Sequence, residues 1–267
     1  GIRVIAGAGP SWEHFDIRLG GNGHPALESS VVRRALAYGV DREALVRALY
    51  GPAQRPSDSA VFLTQSRFYR PHWKIYRYRP AEARRLLAQA GCRRGADGIY
   101  VCAGKRLSLR FVTAAGWPSR ELTLQLVQAQ LRRAGVEVVP RYAPSASFLG
   151  KKGILERGDF DVALFAWVGG TSGISNSDIL GCGGPSNFTG YCNRQVTRDL
   201  RRSKLILDPS RRAALLNRVD EQLARDVPVL PLFQLVFPFA VRATISGVVY
   251  NSSEWLTWNS EDWWLEG

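Results

Sequence analysis

Midway along the chain, "PSRELTLQLVQAQLRRAG" (118–135) runs directly into "VEVVPRY" (136–142). The first segment opens at Pro118, carries apolar residues at helical spacing and stops at Gly135, which predicts an amphipathic helix. The second is a β-branched run of strand length. A helix that leads straight into a strand, in a chain where strands alternate with helices, gives an α/β lobe. The pattern recurs on both sides. "HFDIRLGG" (14–21) reads as a strand and turn, followed by helices over "SSVVRRALAYGV" and "DREALVRALYG" with Ser29 and Asp41 as caps and Gly51 as the stop. Residues 52–78, rich in Pro, Ser and aromatics without periodicity, read as a long ordered loop. "RPAEARRLLAQAG" (79–91) has Pro80 in its first turn, and "DGIYVCAGKRLSLRFVTA" (97–114) reads as a hairpin turning at Ala103-Gly104. A short helix near Ser147 precedes the strand "FDVALFAWV". Two helices fill 194–226, the second opened by Asp208-Pro209, and strands and irregular chain follow from Pro228.

At 267 residues with 45% hydrophobic content, the chain has enough apolar side chain for a core in one or two domains. No window resembles a membrane span; the most apolar run, Val227–Val241, holds three prolines and reads as buried strands. The chain opens at Gly1 and contains no Met, so it reads as a processed or truncated product whose leader or anchor would lie upstream. Its formal charge is +13. Most arginines sit on helices beside Leu, Val and Ala, the pattern of a solvated face whose alkyl stems cover the core edge. A nucleic-acid surface is the other reading of that charge, but no aromatic-interleaved basic stripe, zinc pattern or reading helix accompanies it.

Four cysteines form two local pairs of equal spacing, Cys92/Cys102 and Cys182/Cys192. No His lies near either, which disfavours zinc. Two short disulfides, and hence an oxidising compartment, are one reading; four buried thiols are the other. Only His14, His24 and His72 are present, none at metal-ligand spacing and none in a triad-like grouping. "GGNG" (20–23) lacks the Lys-Ser/Thr of a phosphate loop. These tests point to a binding protein, not an enzyme, without metal or cofactor.

The run "WEHFDIRLGGNGHPALESSVVRRALAYGVDREALVRALYG" (12–51) resembles the signature of the family 5 extracellular solute-binding proteins, the peptide-binding components of bacterial ABC importers. Val32-Arg33, Ala35-Leu36-Ala37-Tyr38 and Asp41-Arg42-Glu43 carry the match. "AEARRLLAQAG", "QAQLRRAGVEV", "GDFDVALFAW", "NFTGYCN" and "DPSRRAALLNRVDEQLARDVPVLPLF" continue it in order across nearly the whole chain.

The resemblance implies an α/β fold of the type II periplasmic-binding-protein kind, in which two lobes close on a ligand. It implies a hinge-entering strand over 1–19, a second lobe over 20–227, and a hinge return with a C-terminal first-lobe segment over 228–267, most of the first lobe being absent. Carried over by position, the ligand-binding residues are His14, Asp16, Trp167, Val168, Gly169, Gly170, Thr171, Phe233 and Gln234. Two positions depart from the family pattern: Arg18 stands where an Asn is usual, and Gly170 where peptide binders often have an Asp that pairs with the ligand's free amine. The function implied is capture of a peptide or other small polar solute outside the cytoplasm, by a periplasmic or lipid-anchored protein that is monomeric at full length. An ABC permease in the membrane would be the partner, with no nucleic acid. A ligand-sensing domain of a transcription regulator and a basic nucleic-acid-binding protein are the rival readings; reduced cysteines would favour the first, salt-dependent retention on DNA the second.

Overall fold

The strand expected near His14 is the second half of a longer one, β1 (Ile2–Ile17). In this computed structural model, which describes residues 1–52, 54–169, 173, 177–251 and 257–266, the chain continues as α1 (Ser30–Gly39), α2 (Arg42–Tyr50), α3 (Pro80–Gln89), β2 (Arg93–Arg94), β3 (Tyr100–Cys102), β4 (Lys105–Arg106) and β5 (Ser108–Ala114). Then come α4 (Pro118–Arg133), β6 (Glu137–Ala143), α5 (Ser145–Leu149), α6 (Ile154–Arg157), β7 (Val162–Val168) and α7 (Ser177–Leu180). The last long elements are α8 (Arg194–Ser203), α9 (Pro209–Asp226) and β8 (Val229–Arg242). Residues 52 and 54–78 run as the long loop expected, with a 3₁₀ turn at His72–Ile75 and a bridge from Pro56 to Phe233.

The main sheet runs β6-β5-β7-β1-β8. β5, β6 and β7 are parallel, joined by helical crossovers, while β1 and β8 are antiparallel to their neighbours. Period-2 alternation sorts β1 between the two faces of the sheet. Phe15 meets Phe111 on one, in a core shared with Leu124, Val127 and Leu131 of α4. His14 meets Phe165 on the other, beside a smaller cluster that includes Phe148 and Phe160.

β1 and β8 outrun the sheet. β7 reaches only to Ser11, yet β1 stays paired with β8 from Ala8/Val236 out to Ile2/Arg242, with register shifts between Ala8 and Trp12 and between Glu13 and His14. Glycine makes the outer ribbon passable. A Cβ at Gly7 would lie 2.5 Å from the Tyr250 ring, and one at Gly9 would lie 2.1 Å from the Phe237 ring. The aromatic rings pack directly on backbone, which interrupts the alternation that would otherwise mark these residues as strand.

Asp41 and Asp208 cap α2 and α9 as expected, accepting from the amides of Ala44 (2.9 Å) and Arg211 (2.7 Å). Ser29 occupies the N-cap position of α1, but its hydroxyl makes no capping bond. Ala103 and Gly104 both have positive φ at the hairpin turn. Both cysteine pairs are disulfides with Cα–Cα of 4.3 Å, Cys92–Cys102 bracing the small β2-β3-β4 sheet and Cys182–Cys192 closing the loop before α8. Among the described residues there is no free cysteine, no group of three His, Cys, Asp or Glu side chains placed to hold a metal, and no helix long and apolar enough to cross a membrane.

Candidate ligand-binding site

Where strands run parallel, their C-terminal ends collect the loops that open helices, and ligands of open α/β sheets settle there. In this chain that edge is set by the ends of β5, β6 and β7, level with Ser11 and Trp12 of β1. It exposes an apolar rim: Trp117 just past β5 is 51% accessible, Tyr142 at the end of β6 is 42%, and Val168 at the end of β7 is 73%. Side chains this large and this exposed are gathered at one edge, beside the β1–β8 ribbon, in the manner of an interaction surface.

Trp167 ends β7 half-buried, stacked on Phe188 at 6.1 Å and 11° and edge-on to Phe165 at 5.3 Å. Its indole Nε1 and that of Trp12, its partner across the β1–β7 ladder, find no hydrogen-bond acceptor among the described residues. Gly169 donates its N–H to the Pro10 carbonyl at 2.8 Å. The space beside it is taken by Leu63, 3.1 Å from where a Cβ would sit, so packing against the 52–78 loop is itself a reason for glycine at this position. Gly170 and Thr171 lie outside the described residues.

His14 and Asp16 are sealed inside the lobe, at 0% and 2% accessibility. The His14 ring sits between Trp12 (4.6 Å) and Phe165 (4.5 Å). Its Nε2 is 3.1 Å from Asp16 Oδ1, an ion-pair distance, but the angles do not make it a hydrogen bond, and both ring nitrogens lack a partner among the described residues. The two therefore back the Trp12/Trp167 layer and do not themselves reach solvent. Phe233 is buried against Tyr50 at 5.4 Å.

Gln234 is a junction. Its Nε2 donates to the Gly9 carbonyl (2.7 Å) and to Gln65 Oε1 (2.9 Å), and its Oε1 accepts from the Thr64 amide (2.8 Å) and hydroxyl (2.6 Å). Three of its bonds tie the β1–β8 ribbon to the 52–78 loop, and the fourth, to Gly9, joins the ribbon's two strands. Beside it lies a hollow of about 480 Å³ bordered by Gln54, Arg55, Thr64, Lys74 and Arg77.

A pair that sequence reasoning passed over stands behind the rim. Glu13 Oε1, from β1, accepts from Arg120 Nε (2.9 Å) at the start of α4 and lies at ion-pair distance, 2.8 Å, from its Nη2, and the Arg120 guanidinium lies 5.0 Å over the Trp117 ring. Glu13 Oε2 has no partner among the described residues. The Tyr50 phenol beside them is pushed up to about 12, first by burial and then by the Glu13 charge. The only sequence signal for this pair was a carboxylate on the core-facing parity of β1, one residue from His14.

A mixed five-stranded sheet with a two-stranded ribbon leaving it beside an open strand-end edge defines the lobe of a type II periplasmic binding fold, and solved structures agree. The oligopeptide-binding protein of Thermus thermophilus complexed with pentapeptide matches with a TM-score of 0.80 and 26% identity, over 93% of this chain and 45% of that one. The periplasmic EDTA-binding protein EppA matches with a TM-score of 0.83 and 18% identity, over 100% and 50%. Among curated proteins, the oligopeptide-binding protein OppA of Mycobacterium tuberculosis is 31% identical over 252 residues, 92% of this chain and 41% of that protein. The chain thus spans under half the length of that relative. The model of the bacterial extracellular solute-binding proteins, family 5 middle region, matches residues 1–179, and the chain belongs to this family.

Proposed function

We propose that this chain supplies one wall and the hinge of an extracytoplasmic binding protein that captures a peptide or other small polar solute by closure of two lobes and delivers it to an ABC permease. The observation that carries the reading is the coincidence of the hinge ribbon, with its register shifts between Ala8 and His14, and the exposed rim of Trp117, Tyr142 and Val168 at the same end of the sheet. Strands that cross between bodies bend where pairing is irregular. Capture of this kind needs no covalent step and no cofactor. The chain reads as the second lobe (20–227) between an entering strand (1–19) and a return (228–267), and the full-length protein as a monomer. The two disulfides favour this reading over a cytoplasmic regulator.

The ligand contacts proposed are the faces of Trp167 and Val168 with the backbone of Gly169 to Thr171, while His14, Asp16, Phe233 and Gln234 hold those groups and the hinge in place. With Gly at 170, no carboxylate there can pair with an ammonium group, and such a charge-assisted hydrogen bond is worth ~1.5–3 kcal/mol, about one to two decades of affinity. The ligand is therefore one not anchored through a free α-amine at this position. Calorimetric titration of the full-length protein with free and N-acetylated forms of one peptide tests this. Comparable affinities are expected unless Asp16, or Asp178 in α7, supplies the missing charge from elsewhere. A more than roughly tenfold preference for the free amine that is abolished by Asp16→Asn or Asp178→Asn shows that the anchor has moved, and one that survives both removes the basis for this reading of the loop.

A further inference from the structure

The helical hairpin of α8 and α9 concentrates charge in a way the solute site does not use. Residues 194–218 contain eight Arg and Lys against Asp199 and Asp208. None of the eight forms an ion pair among the described residues; Arg93 and Arg141 form none either, while Arg85 pairs with Glu82, Arg106 with Asp97 and Glu137, and Arg225 with Glu221. What sets the hairpin apart is the clustering of eight such cations around one turn. The tip between the helices is apolar. Leu205 and Leu207 are 82% and 92% accessible, more than any other large hydrophobic residue described. The turn is nonetheless ordered, with the Leu205 amide donating to the Arg202 carbonyl and the Ile206 amide to that of Ser203. Arg202, Arg211 and Arg218 border a shallow hollow with Ile206, Leu207 and Leu215.

Unpaired guanidinium groups around protruding leucines match one kind of partner on both counts. Headgroup phosphates of an anionic lipid surface accept from the arginines, and the acyl boundary takes the leucines. A nucleic-acid backbone would satisfy the arginines and leave both leucines against phosphate and water. We propose that the α8–α9 turn is a docking element that seats this protein on an anionic phospholipid surface, Leu205 and Leu207 entering the interface and Arg202, Arg211 and Arg218 holding phosphates around them.

Co-sedimentation with vesicles of phosphatidylcholine alone or with one-third phosphatidylglycerol tests this, at ~0.15 M salt so that diffuse attraction is screened. Three variants accompany the wild type: Leu205→Ser with Leu207→Ser; Arg202→Gln with Arg211→Gln and Arg218→Gln; and a charge-matched control, Arg93→Gln with Lys105→Gln and Arg141→Gln. Binding to the anionic vesicles only is expected, weakened at least about tenfold by each of the first two variants and less than about twofold by the control. Hydrogen exchange of the wild type should show protection of amides 203–207 on vesicle binding, a readout independent of any variant's folding. Four results would each overturn the proposal: no binding to anionic vesicles, equal losses in all three variants, no protection at the turn, or tighter Leu-independent retention on duplex DNA.

Discussion

Arg33 and Arg42 stand nine positions apart in the segment that carries the family resemblance, and both are buried. Arg33 caps the C-terminus of α9, donating to the carbonyls of Asp226 and Val227 and, at its other edge, to those of Leu27 and Glu28. Arg42 donates to the Ser57, Pro231 and Trp73 carbonyls and to Asp58. A planar guanidinium can gather several carbonyls at once, which a lysine cannot, so these positions hold the 52–78 loop and the start of β8 in place. The motif was legible in the sequence; its role as scaffold was not, because the carbonyls it gathers lie far along the chain. Asp220 was invisible for the same reason. It is fully buried and accepts from Trp73 Nε1 and the Ala60 amide, both at 2.9 Å, and burial pushes its carboxyl up to about 6. A folded-state value above the unfolded one means the folded protein holds the extra proton between about pH 4 and 6, so Asp220 weighs against stability above pH 6 and ceases to do so as pH falls through that window. Asp220→Asn cannot ionise. Denaturant melts of both proteins should show wild-type stability gaining on the variant by about 1–3 kcal/mol from pH 7.5 to pH 4.5; an unchanged difference would contradict the burial argument. For the Glu13–Arg120 pair, Arg120→Met alone should cost about 3–5 kcal/mol by leaving a buried carboxylate uncompensated, and Glu13→Gln with Arg120→Met should recover at least half of that in the same melts.

At the scale of elements, helix positions were readable because caps and stops are local. Asp41, Pro80 and Asp208-Pro209 act where the residue types say they should. The hairpin at Ala103-Gly104 and the strands around α4 were readable for the same reason. The outer half of β1 was not: Gly7, Gly9 and Pro10 erase the alternation, and what keeps those residues extended is pairing with β8 more than 220 positions away. Likewise, the buried setting of His14 and Asp16 follows from β7 and its aromatic layer, which no local pattern near residue 14 announces. The cysteines were legible as local pairs, and the fold joins each across ten positions. Replacing Cys182 and Cys192 together with Ser should lower stability by ~2–3 kcal/mol under non-reducing conditions, and the Cys92/Cys102 double replacement by a similar amount. Peptide mapping without reductant should recover both linked pairs; a cross-pair, or free thiols in the native protein, would contradict the fold around α8 or the β2-β3-β4 sheet.

Taken whole, the molecule exposes an apolar rim at one edge of its sheet, the wall of the clamp proposed above. The rim at the parallel strand ends, the ribbon of β1 and β8 and the Gln234 junction that ties it to the 52–78 loop all lie together, and binding energy in a clamp comes from burying a ligand between two such surfaces. A single wall should bind weakly. The most direct measurement is calorimetric titration, with one peptide or retained solute, of this 267-residue chain and of a protein in which it is joined to a complete first lobe. The two-lobed protein should bind at least a hundredfold (about 2.7 kcal/mol) more tightly, with Trp167→Ala removing most of the gain. Equal affinity for the isolated chain, bound as a monodisperse monomer, would contradict it.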